Sequence, residues 1–431
     1  MANLPLATLL RELQLSRTVT CVNCWHSFPP ESVLWISVHR DLAGEPQLDV
    51  SQTAGRQQRR FIPERFDVEC RALDSYGAPC TQIACPRCRL HIPRASLEMP
   101  SVVISLLGAQ GSGKSVFLTS MIFKMRQEAG RLGLRFQDAD LALNKHLVED
   151  EQKMFLAPEA DDYREIRSAV EKTKEDDSRL RTSVIDGHLA NFVPPYTFLL
   201  TPSEGHPRIE EANRLSRLLC LYDNAGEHFR HGADSAEHPM TRHLAASKGL
   251  MYTFDPTQDT RLRRLLRVSP KTGLGGDRQD IVLIEASNRI REHAGISQTS
   301  RIPQTLVVVL TKFDLWRFRV QGFKDAEPLK AHPGTMIDAL EWDEVEAVSN
   351  VCRDLLWEHC REFVTAAESI SDNVIYAPVA AVGWNVRVDP DTGVPSFRGA
   401  NCQPRGVLVP LLCLLGKTIP RVVPSLRKRT D

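Results

Sequence analysis

The sequence predicts an α/β protein built on a mostly parallel β-sheet, with a small cysteine-bearing region in front of it. Three observations lead to this prediction. A glycine-rich turn joins a strand-like and a helix-like segment at 101–130, continuous apolar runs follow after residue 215, and two C-x-x-C pairs lie before residue 99. Continuous apolar runs separated by crossover-length segments are typical of parallel strands buried on both faces.

Composition excludes several classes of function. The 431 residues contain 54 Lys plus Arg and 54 Asp plus Glu, and this balance does not indicate nucleic acid or acidic lipid as a partner. Arg11, Glu12 and Arg17 interrupt the leucines of the first twenty residues, so these do not resemble a secretory signal. The apolar run Val407–Leu415 is too short to span a bilayer. We therefore expect a cytoplasmic protein without a membrane span.

The cysteine pairs predict a structural Zn²⁺ site. Two thiolates three residues apart in a turn can take adjacent corners of a tetrahedron, and two such turns complete it. The predicted ligands are Cys21, Cys24, Cys85 and Cys88. The segment 25–84 between the pairs would be an inserted subdomain with strands around Val33–Val38, and Cys80 and His91 are possible substitute ligands. Two independent buried turns and a redox-active pair are the alternatives.

The next element is a phosphate-binding loop. The segment 108–115 matches G-x-x-x-x-G-K-S, with a strand-like run at Val102–Leu107 before it and helical periodicity at Val116–Arg126 after it. Glycines allow backbone N–H groups to turn towards phosphates, the lysine reaches the β- and γ-phosphates, and the serine hydroxyl ligates Mg²⁺. The predicted nucleotide-binding residues are Gly108, Gly111, Ser112, Gly113, Lys114 and Ser115. The alternative is a glycine-rich turn without a ligand.

Two polar insertions are predicted in the sheet domain, at about 135–200 and 257–303. In the first we expect helices near 139–156 and 159–175, followed by a hairpin-like stretch ending at Tyr196–Thr201. In the second we expect a helix through Ile281–Arg291.

A second acidic motif follows the strand Leu218–Tyr222 as Asp223-Asn-Ala-Gly226-Glu227. An Asp at the carboxyl end of a buried strand lies where α/β sheets bind ligands, and there it can hold Mg²⁺. Gly226 would let a backbone N–H approach a γ-phosphate, and Glu227 or His228 would orient the attacking water. A carboxylate there is repelled by the phosphate unless Mg²⁺ or an arginine compensates. An ordinary Asp-Asn turn is the alternative.

The strand Leu306–Leu310 leads into Thr311-Lys-Phe-Asp314, which predicts a guanine-binding segment. Guanine offers two donors on one edge, N1–H and its exocyclic amine, and the Asp314 carboxylate can accept both. Adenine presents an acceptor at N1, which mismatches a carboxylate. Lys312 would cover the purine face with its aliphatic stem. A solvated turn is the alternative.

Together these motifs resemble those of P-loop GTPases of the translation-factor and Ras-like (TRAFAC) class. The resemblance covers the motif-bearing strands and a closing helix at about Val407–Leu415, and it implies a G-domain-like fold that binds GTP and Mg²⁺. It also implies that the segment Ala377–Gly383, which is similar to the Ser-Ala-x segment of these proteins, lies beside the base. Such proteins place a switch threonine on the metal, and Arg179-Leu-Arg-Thr182 resembles the arginine-finger segment of heterotrimeric G-protein α subunits. A basic turn after an acidic helix is the alternative.

The predicted organisation is a zinc-ribbon-like domain at 1–99, a P-loop GTPase-like domain at 100–420 and a basic tail at 421–431. This combination is similar to the bacterial double-GTPase group of conflict and defence systems, which implies a second GTPase-like subunit or an effector as protein partner. Three functions remain open: a GTP-hydrolysing switch, a nucleotide-binding scaffold without turnover, and an ATPase that acts on nucleic acid.

Overall fold

The computed structural model describes residues 16–48, 56–156, 163–165, 180–223, 242–266, 278–319, 328–389 and 395–426. The protein is a mixed α/β structure whose largest sheet has seven strands. Within the described ranges, no helix combines the length and the apolar character that crossing a bilayer requires.

The seven strands of the central sheet are numbered in chain order. They are β1 Ser101–Gly108, β2 Leu134–Asp138, β3 Tyr196–Pro202, β4 Arg217–Asp223, β5 Gly249–Phe254, β6 Thr305–Leu310 and β7 Val374–Pro378. Their order across the sheet is β2-β3-β4-β1-β5-β6-β7. From β4 to β7 all neighbours are parallel, whereas β3 pairs antiparallel with both β2 and β4. Since the chain places β4 on one side of β1 and β5 on the other, β1 lies at a topological switch point.

Helices cover both faces of the sheet. The α-helices longer than four residues in the described ranges are α1 Lys114–Glu128, α2 Leu141–Glu151, α3 Thr260–Leu266, α4 Gln279–Ala294, α5 Trp342–His359, α6 Arg361–Ile370 and α7 Val409–Thr418. On one face α1 and α7 bury Phe117 and Leu411 against Ile104 of β1. On the other face α4 and α6 pack against the half of the sheet that contains Tyr252 and Val308.

The cysteine-bearing region covers the remaining part of that second face. Its residues form one apolar cluster with Val103 of β1 and with Leu218, Cys220 and Tyr222 of β4. The region is built from short strands: Val19–Thr20, Ser27–Phe28, Leu34–Ile36, Arg60–Phe61, Ala72–Leu73, Pro79–Cys80, Ile83–Ala84 and His91–Ile92. It therefore packs directly on the strands that flank the glycine-rich loop.

Most of the predicted elements are confirmed, and two are corrected. β6 begins one residue before the predicted strand Leu306–Leu310, and α4 extends the predicted helix at both ends. α2 and the π-helical turn after it cover 141–156 of the helix predicted at 139–156. The helix at 159–175 is wrong where it is described, because Tyr163–Glu165 is a strand paired with the distant Pro395–Arg398. The expected hairpin is present but ends earlier, since Arg181–Ile185 pairs with His188–Phe192. Tyr196–Thr201 lies instead in β3 of the central sheet, where it pairs with β2 and β4.

Candidate functional site

The glycine-rich loop connects the end of β1 to the start of α1 at the carboxyl edge of the sheet. Gly108, Gly111 and Gly113 have φ angles of 154°, 73° and 88°, and Gly113 caps the helix in the left-handed region. Residues with side chains rarely adopt these angles, which explains the glycines. The helix that follows begins with N–H groups that have no partner within the helix. The loop therefore has the strand–turn–helix context that the sequence predicted.

Thr253 of β5 holds the loop on one side. A Cβ on Gly108 would lie 2.0 Å from the Thr253 hydroxyl oxygen, so only glycine fits this close approach. The hydroxyl groups of Ser112 and Thr253 are 2.7 Å apart and hydrogen-bonded. Ser112 is fully buried and its amide donates to the Ala109 carbonyl oxygen at 3.2 Å, so both its side chain and its main chain stabilise the loop.

The predicted base segment is hydrogen-bonded to the same loop. The Thr311 hydroxyl donates to the Ser112 carbonyl oxygen at 2.7 Å, and the Gln258 amide donates to the Gln110 carbonyl oxygen at 3.0 Å. The sequence analysis missed Thr253 and Gln258. One available signal was Thr253 itself, a polar residue inside the apolar run of β5.

The two predicted magnesium ligands lie on neighbouring elements. Ser115 is the second residue of α1, next to the largely buried Lys114, and Asp223 ends β4 with 5% of its surface exposed. β4 is the direct neighbour of β1, and Asp223 pairs in register with Leu106, two residues before the loop begins. The strand-end carboxylate and the loop therefore share one edge of the sheet. Gly226, Glu227 and His228 lie outside the described residues.

Lys312 is anchored by a buried carboxylate that the sequence analysis did not identify. Its backbone is left-handed, with φ 56°, and its ammonium group forms an ion pair with Asp255. Asp255 is fully buried at the end of β5 and also accepts hydrogen bonds from the Thr257 amide and hydroxyl at 2.8 and 2.7 Å. Left-handed backbone in a residue other than glycine is a strained feature that clusters at functional sites. Asp255 comes directly after the buried strand β5, much as Asp223 is the last residue of the buried strand β4. This position in the sequence was the signal that could have identified Asp255.

Asp314, the predicted guanine acceptor, has a strongly perturbed carboxyl group. Burial raises the pKa of Asp314 to about 7, and the nearby Asp255 charge acts in the same direction, whereas Lys312 opposes it. Burial and the charge of the Asp314 carboxylate raise the pKa of the Cys402 thiol to about 12. A desolvated carboxylate of this kind gains most from a ligand that donates hydrogen bonds to it.

The segment predicted beside the base is in contact with the base segment. The Phe313 amide donates to the Val379 carbonyl oxygen at 3.1 Å, and Ala380 exchanges backbone hydrogen bonds with Arg405 at 3.0 and 2.9 Å. A cavity of about 330 Å³ lies behind this contact, with Phe313 and Trp384 in its wall. Its wall contains none of the predicted site residues, so it is separate from the glycine-rich loop.

The four predicted zinc ligands form one buried cluster. The sulfur atoms all lie within 4.8 Å of one another, with 3.8 Å between Cys21 and Cys88 and 3.7 Å between Cys24 and Cys85. The two turns repeat the same bonding, since the Asn23 and Arg87 amides donate to the first sulfur of each pair at 3.3 and 3.4 Å. Trp25 and Arg89 follow the turns in the same left-handed conformation, with φ 62° and 60°.

The electrostatics of the cluster fit a bound cation. Burial raises the pKa of the Cys21 thiol well above its usual value, whereas hydrogen bonds from Cys21 lower the pKa values of Cys24 and Cys85. Several buried thiolates repel one another unless a cation lies between them. The substitute ligands are not needed, because the Cys80 thiol donates to the Ala78 carbonyl oxygen and His91 pairs with Asp140 at 3.1 Å.

The predicted switch threonine lies in a hairpin beside the cysteine cluster. Thr182 belongs to the strand Arg181–Ile185, and its hydroxyl donates to Asn191 at 2.8 Å. The next residue, Ser183, donates to the Cys88 carbonyl oxygen at 2.7 Å. Arg179 lies outside the described residues.

Comparison with known proteins gives only distant similarities. No protein-family model and no curated protein matches the chain. One similar solved structure is the GTPase-like domain of S. cerevisiae Ski7 bound to GTP, with 11% identity, a TM-score of 0.29, and coverage of 77% of this chain and 52% of that one. Another is Sup35 complexed with GDP, with 14% identity, a TM-score of 0.24, and coverage of 69% and 41%. The chain thus spans about half of these proteins or less, and similarity at this level establishes neither a family nor a ligand.

Proposed function

We propose that the protein binds a guanine nucleotide with Mg²⁺ at the carboxyl edge of the central sheet. The observation that carries this proposal is the hydrogen bond from the Thr311 hydroxyl to the Ser112 carbonyl oxygen, since it joins the base segment to the phosphate loop. The residues proposed to bind the base and those proposed to bind the triphosphate are thereby held at a fixed distance from each other. The switch point at β1 supports the same location for a ligand.

In this proposal the amides of Gly108, Gly111 and Gly113 and the start of α1 bind the phosphates, and Lys114 neutralises the β- and γ-phosphates. Ser115 and Asp223 hold Mg²⁺, directly or through water. Gly226 brings a main-chain N–H to the γ-phosphate.

The base would lie against the Lys312 stem, which its ion pair with Asp255 holds in place. Asp314 accepts both guanine donors, and its desolvation favours a ligand that supplies them. ATP is the disfavoured alternative, because the adenine N1 lone pair would face the carboxylate oxygens. The ATPase alternative instead predicts a preference for ATP and salt-sensitive binding of DNA or RNA.

Nucleotide competition on the purified full chain tests this proposal. Lys114→Ala removes a charged contact to every triphosphate, so GTP and GDP affinity should fall by about 100-fold, the effect of losing one or two charge-assisted hydrogen bonds. Asp314→Asn should weaken guanine nucleotides by about 10-fold or more while leaving inorganic tripolyphosphate unaffected. The matched control is Lys124→Ala, which removes a positive charge from the same helix at a residue paired with Glu128. Equal affinity of the parent for GTP and ATP would remove the base-recognition proposal.

We further propose that the bound GTP is hydrolysed slowly, with Lys114 stabilising the transition state and Glu227 or His228 orienting water. A scaffold that binds without turnover is the alternative, because the Glu227 carboxylate would be repelled by the γ-phosphate. Phosphate release measured beside affinity separates the two. Tight GTP binding with no release above the rate of the Lys114→Ala variant supports the scaffold.

We also propose that the cysteine cluster holds one structural Zn²⁺. Four thiolates at a Zn–S distance of about 2.3 Å form a tetrahedron with edges of about 3.8 Å. The sulfur separations of 3.8 and 3.7 Å support this geometry. When bound, the ion would cross-link the two turns and would not contact the nucleotide. Metal analysis of the purified chain should find one Zn²⁺ per molecule.

The domain organisation and the partner remain proposals. We propose a zinc-ribbon-like domain at 1–99, a GTPase-like domain at 100–420 and a basic tail at 421–431. On the resemblance to the double-GTPase group alone, we propose a second GTPase-like subunit or effector as partner in a bacterial defence system. Co-purification from the native host with GTP, and its loss in the Lys114→Ala variant, tests the partner.

A further inference from the structure

Tyr222 connects the cysteine cluster to the acidic strand end. It is the residue before Asp223 in β4, its side chain is buried, and its hydroxyl group donates to the backbone carbonyl oxygen of Val22. Val22 lies between the first two cysteines of the cluster.

Two aromatic side chains pack against the Tyr222 ring. His243 stacks on it with a centroid distance of 4.3 Å and an interplanar angle of 8°, and Trp25 packs at 5.8 Å. Trp25 is the residue after Cys24, and its amide donates to the Cys21 carbonyl oxygen at 3.1 Å as part of the turn. The position of Trp25 therefore depends on the turn that the metal would close.

Successive side chains of a strand point to opposite faces, so the neighbouring residues Tyr222 and Asp223 belong to different sites. Tyr222 points towards the cysteine cluster, whereas Asp223 is the last strand residue at the edge that carries the loop. A turn that holds Tyr222 therefore fixes the end of β4, and with it the position of the Asp223 backbone. This contact spans 200 positions of sequence.

We propose that Tyr222 is a positioning residue through which metal at the cysteine cluster strengthens Mg²⁺-dependent nucleotide binding at Asp223. The inference rests on the proposed function, because it assigns the regulation of that same site. Two sites coupled in this way influence each other equally, so nucleotide with Mg²⁺ must also strengthen zinc retention.

The first test compares GTP affinity with and without Mg²⁺. Tyr222→Phe removes the hydroxyl and keeps the ring, so the gain in affinity from Mg²⁺ should fall about fivefold, the effect of one hydrogen bond. Affinity without Mg²⁺ should not change. The matched control is Tyr252→Phe, which removes another buried phenol. Tyr252 lies in β5, on the other side of β1 from β4, and its hydroxyl donates to the Gln279 carbonyl oxygen at the start of α4. Its gain from Mg²⁺ should equal that of the parent.

The second test measures zinc transfer to a chromogenic chelator. GTP with Mg²⁺ should slow the transfer in the parent and in Tyr252→Phe, and this protection should be reduced about fivefold in Tyr222→Phe. Parent-like values for Tyr222→Phe in both measurements would overturn the coupling while leaving nucleotide binding intact. A parent that binds no guanine nucleotide would instead overturn the proposed function. Equal losses in both tyrosine variants would reduce the effect to general destabilisation and would also overturn the coupling.

Discussion

The phosphate loop and the cysteine cluster both present convergent groups to a proposed charged ligand, but they are built differently. In the loop these groups are main-chain amides, positioned by glycines and by hydroxyl groups of Thr253 and Thr311. In the cluster they are four side chains from two turns that are distant in sequence. The loop is therefore held in shape by contacts within the protein, whereas the four sulfur atoms of the cluster repel one another as thiolates unless a cation lies between them. Substitutions should thus act locally at the loop and more widely at the cluster.

The largest effect is expected from removing one metal ligand. Cys85→Ser should abolish binding of the proposed Zn²⁺ and lower the free energy of unfolding by several kcal/mol, because the metal would stabilise the region that covers β1 and β4. Metal analysis and thermal unfolding measure this.

Cys80→Ser is the matched control, since Cys80 is also fully buried in the same region but lies outside the cluster. It should keep its zinc and lose about 1 kcal/mol. Equal zinc content in Cys85→Ser and the parent would contradict the metal site and, with it, the contrast between the two regions.

A smaller, local effect is expected at the loop. Gly108→Ala would place a Cβ 2.0 Å from the Thr253 hydroxyl oxygen and 2.9 Å from its carbonyl oxygen, so the loop must move. Affinity for all nucleotides should fall by about 100-fold, since overpacking costs about 1–3 kcal/mol, with zinc content unchanged. Competition binding and metal analysis on the same sample measure both.

The control at another glycine is Gly130→Ala. Nothing lies within 4 Å of the methyl group that this substitution would add, and its turn follows α1 at the end away from the loop. Its nucleotide affinity should match that of the parent. A parent-like Gly108→Ala variant would show that the close approach to Thr253 does not shape the ligand site.

The same contrast explains what the sequence predicted well. A contiguous motif between a strand and a helix specifies the loop, and a fully apolar run specifies a strand buried on both faces, as in β5 and β6. The four cysteines of the cluster were also predictable, because each C-x-x-C pair is a local sequence pattern, although the two pairs come together only in the folded structure. The carboxyl-edge location of Asp223 and Asp314 followed from the strands before them.

What the sequence did not reveal depends on contacts between distant segments. β2 alternates apolar and polar residues inside a charged stretch, and its partner β3 begins more than fifty residues later in the chain. The strand Tyr163–Glu165 exists through pairing with Pro395–Arg398, which no local pattern indicates. The helices α5 and α6, which our sequence analysis did not identify, are amphipathic and pack on β7 and α4. The anchoring of Lys312 by Asp255 is likewise a tertiary contact.

The smallest expected effect is a pH dependence of guanine binding, which should arise only at the base segment beside the loop and not at the cysteine cluster. Burial raises the pKa of Asp314 to about 7 in the nucleotide-free protein, and two guanine donors would lower it in the complex. Binding then favours the charged form, so affinity is full above pH 7 and is lost as the pH falls below 7. Between pH 8 and pH 6 the loss should be about tenfold, which follows from titrating one group of this pKa.

The γ-phosphate titrates in the same range, so the measured quantity is the ratio of the parent affinity to that of Asp314→Asn. Titration of the phosphate cancels in this ratio, and the remaining change reports the carboxyl group alone. Zinc content should stay constant over the same range in both proteins, because the effect arises at the base segment. A ratio that does not change between pH 6 and pH 8 would show that Asp314 is already charged before the nucleotide binds, and its burial would then not contribute to guanine selection.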